Sequence, residues 1–284
     1  MTRTPPISDS NALVVSDAQP QLYTHPRFTY ALTIDQPSHQ ANDQKIEHPI
    51  ILIHGIPGSD RDFKYLAPLL GQSHPCIRIT LPGFGILAGQ GPNLSQLDDR
   101  AHYLSEIARH QQWKSYILVG HSMGGASILS WGMHDAHVKG LVFINSIGLQ
   151  RHRGMRYSQQ QTRWALYMSY VPFWGKKLLQ HTRSTLLKAG FKGEPFDHQQ
   201  IRLIFQYIIH LNFDKIKEYT AKTSHKSLCV WSEDDHLIED EISHTFAQSL
   251  ANQQSIVYAS GGHNVQKYQA PALAQAILDF AMSI

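Results

Sequence analysis

Six short runs rich in β-branched and other apolar residues constrain this chain more than anything else in it. Residues 49–53 read Pro-Ile-Ile-Leu-Ile, and comparable runs recur at 76–80, 116–119, 138–144, 227–231 and 255–258. The clearest of them do not alternate apolar with polar, so both faces of these strands are expected to be covered. Most are separated by stretches with apolar residues every three or four positions, at 62–70, 97–110, 122–133, 240–250 and 271–282, and this spacing predicts helices. Parallel strands need crossovers and a right-handed helix supplies them. The alternation therefore predicts an α/β fold, a mostly parallel doubly wound sheet with helices on both faces. Ahead of it, residues 27–34 read as a half-buried strand and 35–48 as a polar turn region.

At 284 residues the chain is long enough for one large domain with an insertion. An apolar share of 42% and a charged share of 17% exclude a disordered or fibrous chain. A net charge of +3 is too small to imply a nucleic-acid partner without a concentrated patch. Cys76 and Cys229 each lie inside a strand run, so they read as small buried side chains in a reducing compartment. Residues 1–22 form a polar leader without the basic start and apolar stretch of a secretory signal, and no apolar run approaches the length of a membrane span. A cytoplasmic protein, monomeric or homodimeric, is expected. No H-E-x-x-H and no G-x-x-x-x-G-K-[ST] occurs, so neither a metal nor a cofactor is expected.

One segment breaks the rhythm. Residues 147–222 hold several helix-like stretches and no convincing strand, and read as a helical cap inserted into a core made of 23–146 and 223–284. The segment carries thirteen of the 25 Lys and Arg but only four of the 22 Asp and Glu, so charge is polarised by region. It is also rich in Trp164, Tyr167, Tyr170, Phe173, Trp174, Phe205 and Tyr207.

Gly120-His121-Ser122-Met123-Gly124 matches the pattern G-x-S-x-G, between the strand run 116–119 and a helical pattern. A strand passing abruptly into a helix forces the serine backbone into a strained conformation, and flanking side chains larger than hydrogen would clash. Gly120, Gly124 and Gly125 remove that obstruction. Ser122 then stands at a helix N-terminus, whose free N–H groups and dipole favour negative charge nearby. The same residues also suit a glycine-rich loop with an N-capping serine.

His54-Gly55-Ile56-Pro57-Gly58-Ser59, directly after the run at 49–53, resembles the oxyanion loop of the α/β-hydrolase family, H-G-x-P-G-S. Residues 80–85, Thr-Leu-Pro-Gly-Phe-Gly, are similar to that family's D-x-P-G-x-G turn, with Thr80 in place of the aspartate. The resemblance covers about residues 27–284 in motif order. It implies that Ser122 is a nucleophile and that the backbone N–H groups of Ile56 and Met123 are oxyanion donors. In this family the acid and then the histidine follow the nucleophile along the chain. His263, in Ser-Gly-Gly-His-Asn after the last strand run, occupies the histidine's place. Glu233, Asp234 and Asp235 form a run of three carboxylates after the strand at 227–231, and the run alone does not choose among them. Matching Ser232 to a family glycine puts the acid at Asp235 and leaves Asp234 to cap the turn.

The resemblance implies transfer of an acyl group from a carboxylic ester to water through an acyl-enzyme, and the aromatic residues of the cap suit a lipophilic ester. Haloalkane dehalogenases and epoxide hydrolases place an aspartate where Ser122 stands. Hydrolysis of carbon-carbon bonds in ring-cleavage products and cofactor-free haloperoxidase chemistry use the same triad and remain alternatives. A non-catalytic binding module on a hydrolase scaffold is an alternative of another class. Candidate substrate contacts are His54, Gly55, Trp164 and Tyr167. Arg151, Arg153 and Arg156 suit an anionic substrate or peripheral contact with a membrane surface, whereas an amphipathic lid with solvated charges accounts for the same residues.

Overall fold

A computed structural model describes residues 2–4, 14–37, 46–155, 157–188 and 197–284. Its strands are β1 (Thr2–Thr4), β2 (Gln21–His25), β3 (Phe28–Asp35), β4 (Ile50–Ile53), β5 (Cys76–Thr80), β6 (Tyr116–His121), β7 (Val138–Ile144), β8 (Lys226–Ser232) and β9 (Gln253–Tyr258). They form one sheet in the order β1-β9-β8-β7-β6-β4-β5-β3-β2. The β2–β3 and β3–β5 pairs are antiparallel and the others parallel.

The continuous apolar character of β4 follows from its place between β5 and β6. Successive side chains of a strand point to opposite faces. Ile51 and Ile53 accordingly enter one apolar cluster, while Ile50 and Leu52 enter the other. The first cluster is covered by α2 (Leu97–His110), α3 (Met123–His134) and α8 (Asp240–Gln248). The second is covered by α1 (Ala67–Leu70) and α10 (Ala270–Met282). Because both layers exclude water, alternation would have put polar groups in a core.

Between β7 and β8 lie only helices among the described residues: α4 (Gln159–Met168), α5 (Trp174–Lys188), α6 (His198–His210) and α7 (Phe213–Lys222). Two of them start at reciprocal caps. Ser158 accepts the Gln161 amide while Gln161 accepts that of Ser158, and Asp197 and Gln200 do the same. A last short helix, α9 (Val265–Tyr268), precedes α10.

Three departures from the sequence reading have physical causes. The helix expected at 62–70 is a 3-10 turn, Asp60–Phe63, followed by α1, because Pro68 has no amide hydrogen with which to extend a helix from upstream. β2 carries no apolar alternation and is mostly exposed; it forms because it completes a hairpin with β3. The polar leader is partly built in: β1 lies parallel to β9, and the Ser16 amide donates to the Lys64 carbonyl.

Arg78 of β5 is buried and paired with Asp35 at 2.8 Å, with Asp60 at 3.8 Å and with the Ser16 hydroxyl at 2.6 Å. Asp60 also accepts the hydroxyls of Thr33 and Thr80, at 3.0 and 3.3 Å. Thr80, standing where the family has an aspartate, thus acts as a donor to a carboxylate. Removing the guanidinium strands two buried carboxylates, which costs about 3–5 kcal/mol. Arg78→Met is expected to lower the urea unfolding midpoint accordingly, whereas a loss under about 1 kcal/mol would place these charges in contact with water.

Candidate active site

Parallel strands all end at one edge of the sheet, and residues at or just beyond the ends of β4, β6, β7, β8 and β9 meet there. Ser122 follows β6 directly and caps α3 with φ +54° and ψ −122°. That left-handed backbone is strained for a residue bearing a side chain. The glycines around it are sterically required. A Cβ on Gly124 would lie 2.3 Å from the Ile53 carbonyl oxygen, one on Gly120 2.6 Å from the Gly124 oxygen, and one on Gly125 2.0 Å from the Ser146 hydroxyl.

His263 lies in the loop between β9 and α9, behind Gly261 and Gly262. Gly262 has φ +55°, a conformation glycine adopts without steric cost. The His263 imidazole is buried, with Nε2 3.0 Å from the Ser122 hydroxyl and Nδ1 2.8 Å from Oδ2 of Asp235. Asp235 Oδ1 accepts the amides of Leu237 and Ile238, at 2.8 and 3.1 Å, and its Oδ2 also accepts the Asn145 side-chain amide at 2.8 Å. Burial alone would raise the Asp235 carboxyl, but His263 and these donors together hold it at about 2. Asp234 faces the other way and accepts the amides of Gly262 at 2.7 Å and Gly261 at 3.4 Å, tying down the histidine loop.

The candidate oxyanion donors belong to two segments that adjoin the serine. Met123 opens α3, and amides in a first helical turn have no carbonyl within the helix to pair with. Ile56 follows Gly55, where a Cβ would stand 3.0 Å from the Cβ of Ser122, so the backbone of this loop is packed against the serine side chain.

The other candidate contacts divide. Gly55 adjoins Ser122. His54 is fully enclosed: its Nδ1–H donates to the Gly55 carbonyl at 2.7 Å and its Nε2 accepts the Leu81 amide at 2.9 Å, leaving neither nitrogen for a substrate. Trp164 and Tyr167, on α4, are exposed. Arg151 donates to the carbonyls of Met155 and Tyr157, and the Arg153 amide donates to Glu239, so both are engaged within the fold. Arg156 lies outside the described residues.

The sequence reading missed Asn145. It follows β7 with φ +40°, and its amide bridges Asp235 and the Gly262 carbonyl. An asparagine directly after a strand run is a signal for such a turn, since asparagine tolerates positive φ better than most residues. His121, by its motif position a mere flank of the serine, has a partner of its own. Its Nε2–H donates to the His263 carbonyl at 2.7 Å, which fixes the backbone of the histidine loop.

Burial holds His54 at about 4 despite the Gly55 carbonyl and Asp60, and burial together with the neighbouring His263 holds His121 at about 3. In the unfolded chain the same rings protonate near 6.5. The unfolded state therefore binds more protons below that pH, and stability falls as pH drops from about 6.5 toward 4, by up to about 1.4 kcal/mol per pH unit for each ring. Urea unfolding across this window is expected to show that slope, and His54→Asn to flatten it by about one proton; an unchanged slope in the variant would mean that His54 titrates in the folded chain.

Known proteins bear on this arrangement. Residues 40–271 match the family described as "Alpha/beta hydrolase of unknown function (DUF1057)". The hydrolase YugF of Bacillus subtilis is 27% identical over 248 residues, which cover 81% of this chain and 89% of that protein. Two solved structures share the fold. A thermophilic esterase from Thermogutta terrifontis superposes with a TM-score of 0.67 at 16% identity, covering 94% of this chain and 99% of the other. The haloalkane dehalogenase DbeA from Bradyrhizobium elkani superposes with a TM-score of 0.69 at 16% identity, covering 94% and 100%. At such identities the likeness is one of fold alone.

Proposed function

We propose that this chain, which belongs to the α/β-hydrolase family (DUF1057) and is a hydrolase, cleaves carboxylic esters through an acyl-enzyme formed on Ser122. The observation that carries the proposal is the unbroken line from Asp235 Oδ2 to His263 Nδ1 and from His263 Nε2 to the Ser122 hydroxyl, at 2.8 and 3.0 Å. Esterases and dehalogenases share this fold, so the residue at the strand-to-helix turn has to decide between them. Displacement of halide through an alkyl-enzyme ester needs a carboxylate there, and this chain has a hydroxyl.

Serine is a weak nucleophile near neutral pH and needs a base. As the Ser122 oxygen attacks the substrate carbonyl carbon, His263 Nε2 takes its proton. Asp235, already ionised, holds the ring in the tautomer with its proton on Nδ1 and stabilises the imidazolium without taking that proton. The amides of Ile56 and Met123 receive the negative charge that develops on the carbonyl oxygen, a contribution of about 2.7–4 kcal/mol per donor in comparable sites. Collapse of the tetrahedral intermediate breaks the ester C–O bond, and the alcohol leaves with the proton from Nε2. Water then repeats the sequence on the acyl-enzyme, releasing the acid and restoring Ser122.

A fluorophosphonate probe is expected to label the folded protein and to leave Ser122→Ala unlabelled. An unlabelled wild type would instead favour a binding module. Hydrolysis of p-nitrophenyl esters graded by chain length, run beside a ring-cleavage dienoate, is expected to favour the esters; turnover of the dienoate alone would move the assignment to carbon-carbon bond hydrolysis.

The two neighbouring aspartates give a sharper test. Asp235→Asn removes the charge that stabilises the imidazolium and is expected to lower kcat about 10³–10⁴-fold, with a stability loss of about 2 kcal/mol because the depressed carboxyl also favours the folded state. Asp234→Asn keeps an acceptor for the Gly262 amide and is expected to cost less than about tenfold. The reverse ranking would shift the acid to Asp234.

A further inference from the structure

Exposed aromatic side chains on this molecule are concentrated in one place. Tyr157, Trp164, Tyr167, Tyr170, Phe173 and Trp174 are each 62–72% exposed, and they fall within eighteen residues of chain. On α4 the exposed positions 160, 163, 164 and 167 recur at helical spacing, so Trp164 and Tyr167 share one stripe with Arg163. The stripe leads into the α4–α5 turn, where Phe173 and Trp174 meet edge to face at 5.8 Å and the Lys177 ammonium lies 4.3 Å from the Phe173 ring centre. The chain's three other tryptophans, Trp113, Trp131 and Trp231, are buried.

Charge along this segment of chain has one sign. Residues 147–193 contain no Asp or Glu. Arg163, Lys176, Lys177, Arg183 and Lys188 lie on α4 and α5, all exposed, and no described carboxylate forms a salt bridge with them. A patch of Trp, Tyr and Phe offers rings with apolar bodies, some with polar edges, and a cationic border beside it attracts anionic headgroups. Contact with another protein explains exposed rings, but nothing in that explanation calls for a segment of 47 residues free of acid.

We propose that the α4–α5 face is a docking surface for anionic lipid bilayers, with the rings of Trp164, Tyr167, Phe173 and Trp174 entering the headgroup region and Arg163, Lys176, Lys177 and Arg183 facing lipid phosphates. No helix among the described residues is long and apolar enough to cross a membrane, so the contact is peripheral. The surface is independent of the ester-cleaving reading, and its test uses no substrate.

Because the two exposed tryptophans both lie in the patch, fluorescence reports on it directly. The full chain is mixed with vesicles of equal parts phosphatidylglycerol and brominated phosphatidylcholine, or of brominated phosphatidylcholine alone. Flotation with the anionic vesicles and quenching of tryptophan emission are expected, both weakening as salt is raised. Lys176→Glu with Lys177→Glu is expected to weaken binding about tenfold or more. Trp164→Phe with Trp174→Phe should abolish quenching at an unchanged thermal unfolding temperature. The proposal is overturned by equal binding to neutral vesicles, by flotation with no quenching, or by no flotation. A dimer in sedimentation velocity that dissociates in Trp164→Ala with Trp174→Ala, with no vesicle binding, would assign the face to a second copy.

Discussion

The start of α3 approaches the end of β4 so closely that position 124 has room only for hydrogen. A Cβ there would stand 2.3 Å from the Ile53 oxygen and 2.7 Å from the His54 oxygen. The rest of the site depends on this approach. It brings the loop after β4 against the serine, and it sets the abrupt turn that drives Ser122 to positive φ. Such strain costs about 1–3 kcal/mol and persists only where surrounding bonds over-determine it. Here the Ser122 amide donates to Ile144, while its carbonyl accepts from Gly125 and Ile147. The sheet and the start of α3 therefore hold the backbone of Ser122 in place.

The electrostatics around that hydroxyl follow from burial. Asp235 is surrounded by donors and stays ionised, whereas His54 and His121, enclosed without a neighbouring anion in direct contact, stay neutral. One fixed negative charge thus faces His263, and the adjacent buried imidazole of His121 places no positive charge beside it. Asn145, Asp234 and His121 act together on the backbone. Through Asp235, Gly262 and the His263 carbonyl they keep the histidine loop in register with the serine.

The helical insertion joins this core through polar contacts as well as apolar ones. Buried Arg100 on α2 donates to Ser127 of α3 at 2.9 Å and lies 4.8 Å from the ring centre of Tyr207 on α6. Asp98, in the first turn of α2, accepts from Ser130 on α3 and from Lys215 and Tyr219 on α7. These bonds fix α6 and α7 to the core. The first two helices of the insertion show no comparable bonds to α2 or α3 among the described residues, and theirs is the face that carries the exposed aromatic rings.

The sequence by itself determined the architecture, because continuous apolar strands separated by helical periods have few ways to bury both faces, and β4 with its two-sided packing is the plainest case. It also marked Ser122, since three glycines around one serine meet a steric demand that is local in the chain. Tertiary structure decided the partners of His263. The choice between Asp234 and Asp235 turns on which carboxylate points toward an imidazole 28 or 29 positions away, and strings of adjacent carboxylates carry no such direction. It likewise separated the histidines and the aromatic residues by role: His54 and His121 became buried fasteners, and Trp164 and Tyr167 faced outward. Composition cannot reveal which face of a helix is covered when the covering element is distant in sequence.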